Sequence, residues 1–174
     1  MKKIAPNNSK AVQQTAKKTA KHLKLSLTVQ YAIDDDHLVR SRLRRWVHKT
    51  LNLAAPESVS TAQITLRLVD LAESQQLNST YRAKDKPTNV LTFAYNDPTT
   101  PDNLTADIVI CTPVLKKEAI EQGKTYLNHA THLVVHGTLH ALGYDHIKTR
   151  DAEVMEAIET EILATLSIAD PYST

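Results

Sequence analysis

The pattern of apolar and polar positions along the chain predicts four strands. Residues 25–32 (LSLTVQYA) alternate apolar and polar side chains, which is typical of a half-buried strand. Residues 64–69 and 89–95 are rich in β-branched, apolar and aromatic side chains and predict two more strands. Residues 96–103 are rich in Pro, Asn and Asp, which indicates a loop, and the apolar run at 106–111 then predicts a fourth strand, buried in the sheet.

Apolar residues spaced three and four apart predict five helices, over residues 37–51, 71–80, 113–122, 126–142 and 149–166. Four acidic residues predict an outer face for the last helix: Asp151, Glu153, Glu156 and Glu159. The strands come early and in the middle of the chain, and the long helices come late. This order predicts an α+β fold in which a mixed four-stranded sheet is packed with about five helices in a single domain, residues 25–172.

Length and composition narrow the class of protein. With 174 residues and 41% hydrophobic side chains, the chain can bury one core. It contains no run of about 18 apolar residues, so we expect no membrane span, and the N-terminus lacks the apolar region of a signal peptide. Cys111 is the only cysteine, which suits a reducing cytoplasm. We therefore expect a cytoplasmic protein whose metal sites would use histidine or carboxylate.

Charge is unevenly distributed along the chain. Residues 1–24 contain seven lysines and no acid, so the formal net charge of +2 leaves −5 for residues 25–174. We expect residues 1–24 to be a basic, disordered leader outside the domain, although such an arm could also contact phosphates without reading sequence. Four arginines lie on one face of the first helix, Arg40, Arg42, Arg44 and Arg45. We expect this face to be solvated, with contact to nucleic acid as the alternative.

The run HGTLHALGYDH at 136–146 predicts a metal site on a helix in the C-terminal half of the chain. His136 and His140 lie one turn apart on one face, and Gly143 can end the helix in a left-handed conformation. The resulting reversal could bring His146 to the same ion. Three imidazoles and an open fourth position are typical of catalytic zinc, although nickel would accept the same ligands.

Two interpretations are open for each of the other polar side chains near this run. Asp145 could orient a ligand or handle a proton, or it could cap the turn. His129 and His132 lie on the same helix face, and we expect them to be surface residues, with support of the metal ligands as the alternative. Zinc peptidases need glutamate directly after the first histidine, where this chain has Gly137, so peptidase chemistry by that route is not expected.

Three cations precede the third predicted strand. Arg82, Lys84 and Lys86 lie within five residues, where they could clamp phosphate, and Arg82 could do so with two parallel hydrogen bonds. A charged turn that is merely solvated is the alternative.

Taken together, YRAKDKPTNVLTF, ADIVIC and HGTLHALGYDH resemble the motifs of the YbeY family of metal-dependent endoribonucleases, over about residues 25–172. The resemblance implies hydrolysis of single-stranded RNA, rather than DNA, in the maturation of ribosomal RNA, especially at the 3′ end of the small-subunit RNA, and in ribosome quality control. It implies one zinc ion on His136, His140 and His146, with Arg82 as the catalytic arginine. Ribosomal RNA, the ribosome and small-subunit proteins are the partners it implies.

Two other functions remain open on the sequence. One is a ribosome-associated binding factor whose metal is structural, and the other is a metallohydrolase that acts on a different substrate. An open coordination position would favour catalysis, whereas a fourth protein ligand would favour the binding factor.

Overall fold

The computed structural model describes residues 23–95, 97–145 and 149–172. Its strands are β1 (Lys24–Tyr31), β2 (Thr61–Val69), β3 (Val90–Ala94) and β4 (Asn103–Cys111). They form one sheet in the order β1-β2-β4-β3, in which β1, β2 and β4 are parallel and β3 runs antiparallel to β4. The predicted mixed four-stranded sheet is confirmed.

Five helices complete the described part of the chain: α1 (Arg40–Ala54), α2 (Leu71–Arg82), α3 (Thr112–Glu121), α4 (Tyr126–Ala141) and α5 (Thr149–Thr165). The predicted α+β class and helix number are confirmed. The largest differences are three residues each, at the starts of α1, β2 and β4 and at the end of α1. α1 begins three residues later than predicted because Asp35 accepts hydrogen bonds from the amides of His37 and Leu38, at 3.0 and 3.1 Å, which hold a turn before the helix. β4 begins three residues earlier because Asn103 already pairs with Thr61 of β2.

Helix α4 lies between the sheet and α5. Its Ala130, Leu133 and Val134 belong to the main core, together with the apolar side chains of β2, β4 and α1. Val135 and Leu139 instead pack in a second cluster with Met155, Ile162 and Leu163 of α5. Because α4 is enclosed on two sides, the side chains at its C-terminal end project from a rigid support. Among the described residues, no helix is long and apolar enough to cross a membrane.

The arginines of α1 are not all directed into solvent as expected. Arg40 Nη2 donates to the Leu27 carbonyl at 2.6 Å, and Arg44 Nη1 donates to the Leu25 carbonyl at 3.1 Å. Strand β1 is an outer strand of the sheet, so its free edge carries unpaired backbone groups. The two arginines therefore provide hydrogen-bond donors for two carbonyl groups of that edge.

The predicted leader, residues 1–24, lies outside the described residues except for its last two positions. Leu23 is buried, and Lys24 opens β1. The division into a leader and a domain stays a prediction.

Candidate metal and phosphate site

A cleft of about 810 Å³ brings together most of the predicted site residues. It is lined by the end of α2 and the following loop, by β3, and by the C-terminal end of α4 with its turn. The lining residues are Arg82, Lys84, Asn89, Val90, Thr92, His136, His140, Gly143, Tyr144 and Asp145. The cations and the histidines that the sequence offered as separate groups therefore share one cavity.

The turn after α2 positions the cations. Ala83 adopts a left-handed conformation with φ +54°, and its amide donates to the Ser79 carbonyl at 3.1 Å. This reversal ends the helix and leaves Arg82 and Lys84 on the wall of the cleft. Lys86, predicted to act with them, is not among the lining residues. Its carbonyl accepts from Asn78 Nδ2 at 2.7 Å, so its backbone is part of the turn.

Gly137 determines how closely α4 approaches β3. A Cβ atom at this position would lie 2.9 Å from Ile108 Cγ2 and 3.3 Å from Thr92 Oγ1, closer than the surrounding side chains allow. The Thr92 hydroxyl donates to the Gly137 carbonyl at 3.2 Å and fixes the contact. The glutamate that zinc peptidases carry here would therefore have to displace side chains of β3 and β4, which disfavours the peptidase arrangement.

The two helical histidines face each other across one turn of α4. Their Nε2 atoms lie 3.1 Å apart, and the ring planes cross at 77°. Two nitrogens that each bind one tetrahedral zinc ion at about 2.0–2.1 Å lie roughly 3.3 Å apart. The facing Nε2 atoms of His136 and His140 therefore fit the separation that a shared ion requires.

Gly143 ends α4 as its position in the sequence predicted. Its φ is +91°, its amide donates to the His140 carbonyl at 3.0 Å, and the Tyr144 amide donates to the Leu139 carbonyl at 3.1 Å. These two bonds are those of a Schellman motif. The turn places Asp145 in the cleft lining. His146, the third predicted ligand, lies outside the described residues and stays a prediction.

Glu159 of α5 is the main site residue that the sequence did not reveal. The prediction of an exposed position is wrong, since its side chain is fully buried. Its Oε1 lies 3.2 Å from His136 Nδ1 and 3.4 Å from His132 Nε2, and its Oε2 accepts from the Tyr172 hydroxyl. The spacing Met155, Glu159, Ile162 places this acid on the apolar stripe of the helix, which was the available sequence clue.

Electrostatics favour the charged form of Glu159. Burial alone would raise the pKa of this carboxyl group, but hydrogen bonds and attraction from His132 and His136 outweigh it and lower the pKa to about 2. The ionised carboxylate can accept a hydrogen bond from Nδ1 of His136 when that nitrogen carries the ring proton. His136 Nε2 then keeps its lone pair toward His140.

His132 is part of a second possible metal arrangement. It is 15% exposed, and its ligand atom lies within 4.8 Å of those of His136 and Glu159. This His-His-Glu group could hold a metal. It would use His136 Nδ1, whereas the cleft arrangement uses His136 Nε2. A neutral imidazole has one free lone pair, so the two arrangements are alternatives.

His129 of α4 is connected to the cleft through Glu118 and Asn89. It was expected at the surface but is buried, with Nε2 2.7 Å from Glu118 Oε2. Asn89 Nδ2 in turn donates to both Glu118 oxygens, at 3.2 and 3.1 Å. His129 and Glu118 thereby link α3 and α4 to a cleft-lining residue at the start of β3.

Comparisons with known proteins identify the family of this chain. The family model described as "Endoribonuclease YbeY" matches residues 28–167. Endoribonuclease YbeY of Bordetella pertussis is 56% identical over 152 residues, which is 85% of this chain and 96% of that protein. The protein of the same name from Herminiimonas arsenicoxydans is 53% identical over 156 residues, covering 86% and 96% of the two chains.

A solved structure supports the fold independently. The solution structure of a Thermotoga maritima protein superimposes with a TM-score of 0.51, covering 86% of this chain and 100% of that chain at 21% identity. The family model matches most of this chain, and the relatives are more than half identical to it. The chain belongs to the endoribonuclease YbeY family.

Proposed function

We propose that this protein is a zinc-dependent endoribonuclease that hydrolyses single-stranded RNA in the maturation of ribosomal RNA, at the 3′ end of the small-subunit RNA, and in ribosome quality control. The observation that carries the proposal is the shared cleft, in which Arg82 and Lys84 lie on the same cavity as the paired Nε2 atoms of His136 and His140. Membership of the family supports RNA as the substrate. The ribosome and small-subunit proteins are the proposed partners.

His136, His140 and His146 would hold one zinc ion per chain. The 3.1 Å separation of the first two Nε2 atoms supports this choice, and so does their exposure to the cleft, which leaves room for substrate. Bound there, zinc would supply Lewis acidity toward phosphate oxygens and lower the pKa of water. The His132, His136 and Glu159 group would hold a metal away from the cations, so we propose it as support rather than as the ligand set.

Arg82 would bind the scissile phosphate and neutralise the charge that develops on it. Its guanidinium group can donate two parallel hydrogen bonds to phosphate oxygens, which fixes orientation as well as charge. Lys84 would add a second positive charge in the cleft, and Lys86, outside the lining, would contact a neighbouring phosphate. Asp145 brings a carboxylate to the cleft, where it can accept a proton or orient a ligand.

Glu159 would orient His136, so Glu159→Gln should weaken zinc binding. An amide cannot replace the charge on the carboxylate, and its NH₂ group can donate to His136 Nδ1, which favours the wrong ring tautomer. Loss of such a partner typically lowers metal affinity about 10- to 100-fold. Competition with a chromophoric chelator measures the zinc dissociation constant.

Glu156→Gln is the matched control for this variant because Glu156 is exposed on the same helix. Unchanged affinity in Glu159→Gln would contradict the orienting role. If His132→Ala and Glu159→Gln both abolish zinc binding while His140→Ala retains it, the buried His-His-Glu group is the true metal site.

The proposed activity predicts metal-dependent cleavage of single-stranded RNA. Purified protein should cut an end-labelled RNA internally, lose that activity after treatment with a chelator, and recover it with added zinc. DNA of the same sequence should stay intact, and nickel should be compared with zinc because three imidazoles accept both ions. Gel analysis of the products measures the outcome.

Two results would count against this function. If a purified, zinc-loaded protein leaves RNA intact but sediments with small ribosomal subunits, it is a binding factor with a structural metal. If cells that carry only a cleavage-deficient variant contain small-subunit RNA with a normal 3′ end, the proposed role in maturation is wrong.

A further inference from the structure

We infer that Tyr81, braced by Phe93, is a platform on which a base of single-stranded RNA stacks beside the phosphate held at Arg82. The inference rests on the proposed function and deepens it, because it assigns a binding subsite for the substrate outside the metal cleft. The occupant is a nucleobase, and its aromatic face is the feature recognised.

Tyr81 differs from every other tyrosine in the described part of the chain. Its exposed fraction is 63%, the highest among the exposed aromatic side chains. Its hydroxyl group has no hydrogen-bond partner among the described residues. Each of the other five tyrosine hydroxyl groups donates a hydrogen bond. The pairs are Tyr31 with the Leu38 carbonyl, Tyr95 with Asp107, Tyr126 with Asp35, Tyr144 with the Ala54 carbonyl and Tyr172 with Glu159.

The exposed ring is nevertheless held in place. The centroids of Tyr81 and Phe93 are 4.8 Å apart and their planes cross at 64°, an edge-to-face contact. Phe93 packs against the buried cluster that contains Leu91 and Val109, so it is anchored to the sheet. A fixed aromatic ring loses little conformational entropy when a base stacks on it, which favours binding.

Tyr81 lies beside the cations at the end of α2. It directly precedes Arg82, which lines the cleft, and β3, which carries Phe93, is an outer strand of the sheet. Residues 82–86 carry three cations and one acid, Asp85, whose carboxylate accepts from Gln75 at 2.8 Å. A net positive surface with an adjacent aromatic ring is complementary to phosphates and bases of a single strand.

Stacking on Tyr81 would also select single strands. The bases of a duplex are already stacked on one another, whereas a single strand offers base faces to aromatic side chains. Every base has such a face, so the subsite would tolerate many sequences. Tyr81 would therefore contribute to strand preference and leave cleavage chemistry to the cleft.

The test compares Tyr81→Ala and Tyr81→Phe with wild type. Binding of a fluorescent single-stranded RNA is measured with chelator present, so that the RNA stays intact, and KM and kcat are measured with zinc-loaded protein. Tyr81→Ala should weaken binding and raise KM by about 5- to 100-fold with little change in kcat, whereas Tyr81→Phe should stay close to wild type. Duplex RNA should bind wild type and Tyr81→Ala equally.

Tyr31→Ala is the control, since Tyr31 is 43% exposed on the opposite outer strand, and melting temperatures show that each variant is folded. Equal binding by wild type and Tyr81→Ala, or equal losses in Tyr81→Ala and Tyr81→Phe, overturns the stacking subsite. If wild type cleaves RNA while Tyr81→Ala is unimpaired, only this inference fails. If wild type neither cleaves nor binds RNA, the proposed function fails with it.

Discussion

His140→Ala is expected to remove bound zinc and RNA cleavage together. His140 Nε2 lies 3.1 Å from His136 Nε2 at the cleft, so deleting the ring removes one of two facing donors. The remaining imidazoles cannot hold a catalytic ion at ordinary zinc concentrations, and cleavage should fall about 10³-fold or more. Metal analysis of the purified variant and the RNA assay measure the two effects in the same sample.

The histidine content of the chain offers a control for this variant. His48 is exposed on α1, and its Nδ1 lies 3.2 Å from Asn52 Nδ2. His48→Ala should therefore keep both metal and activity. A His140→Ala protein that keeps a full complement of zinc would contradict the proposed ligand set and direct attention to His132 and Glu159.

The sequence predicted the fold well because each element carries a local pattern. β1 alternates apolar and polar residues because one of its faces meets the core, and Gly143 ended α4 because it supplies the left-handed conformation. These properties depend on neighbours within one or two turns, which are visible in the sequence. The starts of α1, β2 and β4 were misplaced because Asp35 and the pairing of Asn103 with Thr61 act from outside those patterns.

The contacts around the histidines could not be predicted in the same way. Glu159 meets His136 across 23 residues of sequence, and Glu118 meets His129 from another helix. A charged residue is ordinarily exposed, so only tertiary packing reveals that Glu159 is buried and paired. Tyr172, at the described end of the chain, also contacts this group, because its hydroxyl donates to Glu159. The sequence therefore predicted the histidines that could bind a metal, but not the carboxylates that pair with the histidines of α4.

The shared cleft depends on the contact of α4 with β3 and β4, which no sequence motif reveals. Arg82 and His136 are far apart in the sequence, and they share a cavity because α4 rests directly on β3 and β4 at Gly137. The sequence motifs identified the residues, whereas the absence of a side chain at Gly137 explains their proximity. The same contact explains why a glutamate has no place there.

Arg82→Ala is expected to abolish most cleavage while leaving zinc in place. Arg82 is exposed at the end of α2 and lies on a different element from the proposed ligands, so its removal should change neither metal content nor melting temperature appreciably. Loss of a group that stabilises charge in the transition state costs about 10²- to 10³-fold in rate. Arg82→Lys should recover only part of this, because an ammonium group lacks the two parallel donors of guanidinium.

Arg45→Ala, which changes an exposed arginine on α1, provides the matched control and should cleave normally. Cleavage rates and zinc content measured on all three variants separate two roles for Arg82. If zinc is lost from Arg82→Ala, the arginine supports the metal site rather than the phosphate, and the proposed division of labour fails. If zinc is retained and Arg82→Lys is as active as wild type, positive charge alone suffices, and bidentate binding of the phosphate is not part of the mechanism.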